Sequence, residues 1–99
     1  MDNRPAIVLV GASGHAKVVI DIVEREGRYR ISHLLDDNAS LHGRSFFGYR
    51  VAGATERLLD SGPEDRPLVL VSIGDNAGRA RIAAWLRTNG FEFARAVHP

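Results

Sequence analysis

Three short stretches of the chain carry residue types that could hold or transform a ligand. Gly11-Ala12-Ser13-Gly14-His15 lies between two apolar segments. Its glycines permit a sharp turn and close backbone approach, while the serine hydroxyl and the imidazole add hydrogen-bonding groups. Asp36-Asp37 offers adjacent carboxylates able to accept from sugar hydroxyls. Ser72-Ile73-Gly74-Asp75-Asn76 again places a glycine just behind an apolar run.

Offsets decide what the first stretch can do. A hydrolase nucleophile elbow needs G-x-S-x-G, and His15 stands where its second glycine belongs, so Ser13 is better read as a helix-start residue than as a nucleophile. A Walker loop needs G-x-x-x-x-G-K-[ST]; Lys17 fits, but Ala16 replaces the glycine and Val18 the magnesium-binding hydroxyl. The dinucleotide fingerprint G-x-G-x-x-G is met only at Gly11, its other glycine positions being Ser13 and Ala16, both small, and taken alone it is a weak signal. A phosphate cradle is the chemistry that survives, because unpaired N–H groups and the positive helix end attract anions by about 0.3–1 kcal/mol per exposed charge. The bland alternatives are a glycine turn that serves packing and an aspartate pair that serves a surface turn.

The same dipole disfavours a cationic His15, which suits it to a neutral hydrogen bond or to packing over a ligand. His33, His42 and His98 lack metal-type spacing, and no metal is expected, although His33 with Asp36 and Asp37 could chelate weakly.

These stretches need elements to position them. The run 6–10, AIVLV, reads as a strand buried on both faces. Over 15–26, Ala16, Val19, Ile20 and Val23 fall at helical offsets 0, 3, 4 and 7, and Gly27 provides the C′ stop. A looser strand over 28–35 ends at the aspartates. Residues 38–54 read as a loop with a short strand at 49–51, followed by a small helix at 55–59. LVLVSIG, 68–74, repeats the design of the first strand. Residues 76–90 read as a helix capped by Asn76, and 91–97 as a closing strand. Alternation of this kind predicts an α/β fold: a parallel sheet, β-α-β-(α)-β-α-β in order 2-1-3-4, with helices on both faces. The loops after the first and third strands then flank the crevice where such sheets bind ligands.

Composition agrees with a small-molecule role. Ninety-nine residues with 44% hydrophobic content suffice for one core. No segment approaches the ~18 apolar residues of a membrane span, and the start of the chain lacks a secretory h-region. Thirteen basic residues against twelve acidic give a net charge of +1, with no basic stripe for nucleic acid. The absence of cysteine fits a reducing compartment, and a soluble cytoplasmic protein is expected.

GASGHAKVVIDI, LDD, GYRVAG and SIGDNAGRARIAAWL together resemble the N-terminal domain of bacterial sugar acyltransferases of the PglD and NeuD type, over nearly the whole chain. The resemblance implies a small Rossmann-like unit that binds a UDP-sugar acceptor, such as a UDP-amino sugar. It also implies a following left-handed β-helix of hexapeptide repeats, which in that family binds acetyl-CoA, supplies the catalytic histidine and makes the homotrimer contacts. By the same resemblance, Gly11, Ser13, Gly14 and His15 would hold the diphosphate, Asp36 and Asp37 the uridine, and Gly74 and Asn76 would close the pocket near the sugar. His98-Pro99 resembles the entry to the first β-helix coil. The expectation is therefore a single binding domain over 1–99, without catalytic residues or a cofactor of its own, inactive alone and monomeric or weakly dimeric. Two rivals use the same fold: an NAD(H)-binding domain of an oxidoreductase or redox sensor, and a non-catalytic assembly module.

Overall fold

The computed structural model describes residues 2–95. β1 (Ala6–Val10) runs through the centre of the sheet, paired in parallel with β2 (Arg30–Leu35) on one side and β5 (Leu68–Val71) on the other. With both edges occupied, its side chains alternate into two separate cores. Ile7 and Leu9 join Ala16, Ile20 and Val23 of α1 (Gly14–Glu26). Val8 and Val10 join Leu86 of α2 (Asn76–Thr88), together with Leu58 and Phe91. Ile7 through Val10 are each at most 2% exposed, and burial of such a side chain favours folding by about 1.5–3 kcal/mol. The continuous apolar run in the sequence is the direct result of this two-sided burial.

α1 ends where glycine permits it: Gly27 adopts φ 65° and donates its N–H to the Val23 carbonyl at 3.1 Å. α2 begins at the Asp75 side chain, whose Oδ2 accepts from the Gly78 N–H at 2.7 Å. The expected cap, Asn76, is instead the first helical residue. Aspartate one position earlier has the reach to the third N–H of the turn that an N-cap needs.

The central order β2-β1-β5 and the helices on both faces are as the sequence predicted. The middle of the chain is more regular than a loop. β3 (Ser45–Phe46) and β4 (Tyr49–Gly53) form an antiparallel hairpin across Phe47-Gly48, both at positive φ, and β4 extends the sheet beside β2. The result is a five-stranded mixed sheet in the order β3-β4-β2-β1-β5. Phe-Gly is a weak hairpin signal beside Asn-Gly or Asp-Gly, which is why sequence reading passed over it.

The segment back to β5 contains no α-helix. It uses 3-10 turns at Thr55–Asp60 and Pro63–Asp65. The third strand stops at Val71, earlier than the predicted 74, because Ser72 turns inward. Its Oγ donates to the carbonyl oxygens of Val10 (3.1 Å) and Gly11 (2.7 Å). Of the closing strand expected over 91–97, the described residues show one parallel bridge, Val69 with Phe93. His98 and Pro99 lie outside the described residues.

Candidate functional site

β1 is the point at which the winding of the sheet reverses, since the chain proceeds first to β2 and later to β5 on the opposite side. The turns leaving β1, β2 and β5 therefore meet at one end of the sheet, where open α/β sheets bind ligands. Hydrogen bonds lock them together. The Gly11 N–H donates to the Leu35 carbonyl at 2.7 Å, and the Gly11 carbonyl accepts from buried Ser72. Gly11 holds φ 118°, and a Cβ there would lie 2.8 Å from Ile73 Cγ1. Both conformation and space demand glycine.

Asp36 is the clamp between the first two turns. Its Oδ2 accepts from the Ala12 N–H and its Oδ1 from the Asn38 N–H, each at 2.8 Å. The His42 ring nitrogen Nε2 bonds the Asp36 carbonyl at 2.7 Å. Asp37 reaches the next segment, where its Oδ1 accepts from the Thr55 N–H at 2.9 Å. On the other flank, Gly74 presses against His15: a Cβ at position 74 would lie 3.1 Å from His15 Cβ.

Between these turns lies a cavity of about 360 Å³ whose polar lining includes Ser13, Asp36, Asp37, Asp75 and Arg81, with Gly11 at its floor. Three carboxylates against one guanidinium make it a place for hydroxyl and N–H donors rather than for phosphate. The complementary anion site is the start of α1. Ser13 takes the N-cap position in extended conformation but its side chain makes no capping bond, and Ser13, Gly14 and His15 are exposed. First-turn N–H groups are thus left for an external acceptor. A second recess of about 550 Å³ continues from the first, sharing Asp37, Thr55, Arg81 and Ile82, and extends to Glu56 and Trp85.

Of the residues singled out in the sequence, the structure brings Gly11, Ser13, Asp36 and Asp37 around one cavity. Gly14 and His15 occupy the adjoining helix start, with Gly74 against His15, outside that lining. Asn76 is tied into its own helix, accepting from Arg79 Nη2 at 2.5 Å. His33 does not join Asp36 and Asp37: it lines a separate recess with Arg57 and Asp60, so the weak chelating trio is not assembled. There burial, and secondarily the charge of Arg57, push its imidazole pKa below the usual value. Among the described residues, no group of three or more His, Cys, Asp or Glu side chains is arranged to hold a metal ion, and no helix is long and apolar enough to cross a membrane.

Sequence reasoning missed Asp75, Thr55 and Arg81. A signal existed: Gly78, Arg81, Ile82 and Trp85 fall on one helical face at offsets 0, 3, 4 and 7.

Comparison with known proteins adds independent findings. The family described as PglD N-terminal domain matches residues 6–86. No curated protein matches the chain. Among solved structures, a mutant perosamine N-acetyltransferase from Caulobacter crescentus, in complex with CoA and GDP-perosamine, is 30% identical with a TM-score of 0.80, covering 95% of this chain and 43% of that one. PerB from the same organism, in complex with the same two molecules, is 29% identical with a TM-score of 0.79 over 95% of this chain and 42% of its own. The acetyltransferase domain of PglB from Neisseria gonorrhoeae, in complex with acetyl coenzyme A, is 28% identical with a TM-score of 0.77 over 98% of this chain and 45% of its own. The chain thus spans less than half the length of these relatives.

Proposed function

The chain belongs to the PglD N-terminal domain family, and from that premise we propose that it is the acceptor-binding part of a sugar acetyltransferase, holding a nucleotide sugar at the end of the sheet. The observation that carries this reading is the union of three turns by short hydrogen bonds around a cavity lined by Asp36 and Asp37. A ribose donates its hydroxyls to these carboxylates, and the diphosphate lies at the open N–H groups of Ser13, Gly14 and His15. The sugar extends past His15 and Gly74, where a Cβ at position 74 would crowd His15. Asn76, the first residue of α2 after Gly74, borders the same sugar and holds Arg79 through its side chain.

The 3′-phosphorylated ribose of acetyl-CoA would set a phosphate against Asp36 and Asp37, which disfavours that molecule in this cleft. We assign thioester binding and proton transfer to the complete acetyltransferase rather than to any residue of this chain. What the chain supplies is position: a bound sugar held next to the donor reacts as if intramolecularly. The reading includes a cytoplasmic setting, where nucleotide sugars are at hand. A UDP sugar was the expectation from resemblance, whereas two of the similar structures contain GDP-perosamine.

Amide NMR of the 15N-labelled chain tests the proposal. Addition of a nucleoside diphosphate sugar should shift resonances at 11–15, 36–37 and 74–76 together with Thr55. Shifts scattered over other surfaces, or none at millimolar ligand, would refute it.

A further inference from the structure

The recess beyond Asp37 is wider than a ribose needs, and its walls are chemically distinct from those of the first cavity. One wall carries Ile82 and Trp85; the opposite side carries Glu56 and Leu59, from the 3-10 turn Thr55–Asp60. Trp85 is held in place by Phe91, with centroids 6.4 Å apart and an interplanar angle of 17°. Such an aromatic offers a flat platform for a base.

Among the described residues, two charged groups at this recess have no protein partner. Arg81 lines both cavities and Glu56 lines the outer one, and among the described residues neither makes an ion pair or a side-chain hydrogen bond. Asp36, Asp37 and Asp75, by contrast, are each engaged by backbone N–H groups. Glu56 and Arg81 therefore offer a free acceptor and a free donor at the outer recess.

We propose that this recess is a guanine subsite, in which Glu56 and Arg81 select a GDP-linked over a UDP-linked sugar; the inference rests on the nucleotide-sugar reading above. Guanine presents two adjacent donors, N1–H and the 2-amino group, which match the two oxygens of one carboxylate. It also presents O6 and N7, the acceptor pair that arginine recognises bidentately. Uracil offers a single N–H between two carbonyl oxygens, which a carboxylate repels. Adenine offers its amino donor beside an acceptor nitrogen, so one carboxylate oxygen goes unmatched. Of the common bases, guanine alone matches both free groups. The selectivity is set by Glu56, because Arg81 can donate to carbonyl oxygens of uracil as well.

Calorimetric titration of the intact chain with GDP, IDP and UDP tests the assignment, with E56Q as the variant. GDP should bind about tenfold or more tightly than UDP, in line with one bidentate contact. IDP, which lacks the 2-amino group, should fall between them. E56Q keeps one acceptor but opposes the second donor with an amide, so it should weaken GDP about tenfold, while UDP, relieved of the carboxylate's repulsion, should bind as tightly as before or more tightly. Glu56 is exposed, and an unaltered thermal melt of E56Q separates recognition from folding. UDP binding as tightly as GDP, or E56Q weakening both or neither, overturns the guanine assignment while the nucleotide-sugar reading stands. Absence of binding by all three nucleotides overturns both.

Discussion

Replacement of Asp36 by asparagine measures how strongly the clamp holds the site together. In the native chain each carboxylate oxygen accepts a 2.8 Å bond from a backbone N–H, one on each of two turns. Asparagine keeps one acceptor and turns an NH2 group toward the other N–H. One charge-assisted bond, with a net value of about 1.5–3 kcal/mol, is lost, and the survivor weakens toward the neutral range of about 0.5–1.5 kcal/mol. Because Asp36 is half-buried, the lower part of the range applies, and D36N should destabilise the chain by about 2–3 kcal/mol. That is a large share of the roughly 5–15 kcal/mol expected for a domain of this size. With a urea slope of about 1–2 kcal/mol/M for a small domain, the midpoint should fall by about 1–3 M. Trp85, the single tryptophan, reports the transition by fluorescence. Hydrogen exchange adds a local reading: Ala12 and Asn38 should lose protection beyond the global change. A midpoint unmoved within about 0.3 M, with both amides still protected, would show that the clamp contributes nothing and refute the argument.

Three further outcomes follow from the same geometry. G11A must strain a φ of 118° and push Ile73 Cγ1 from 2.8 Å, so urea denaturation should show a loss of about 3 kcal/mol or more; a loss below about 1 kcal/mol would contradict the packing described. S72A removes the donor to the Gly11 carbonyl inside a fully buried site and should cost about 1–3 kcal/mol, with S72T recovering part of it if the hydroxyl is what matters. His33 has a folded pKa below its ordinary value, so the unfolded chain binds its proton first. Stability should therefore fall as pH drops through about 6.5, and the H33Q variant should lose that component of the slope in urea midpoints between pH 7 and pH 5.

The parts of the fold legible in the sequence were those whose pattern has a single physical cause. The run Ala6–Val10 could only be a strand buried on both sides, and Ala16, Val19, Ile20 and Val23 could only line one helical face. Gly11 was legible because a turn at the end of such a strand forces positive φ. The hairpin at Phe47-Gly48 was not, since its stability comes from β4 pairing with β2 rather than from its own turn residues. Asp36 and Asp37 were found by their position after the second strand. Their engagement with Ala12, Asn38 and Thr55 depends on side-chain direction, which spacing does not encode. Arg81 and Trp85 were obscured because a residue facing a cleft and a residue facing a core share one helical period.

The return path from β4 to β5 runs through short 3-10 turns instead of a packed helix. Strand registers within the sheet are set by β1, β2 and β5, so residues gained or lost between positions 54 and 67 need not disturb them. Evolution can therefore lengthen, shorten or rewrite this stretch as a replaceable cassette. Divergence in guest preference among related chains should then be written there as insertions and deletions, with the glycine turn and the aspartate pair carried forward unaltered.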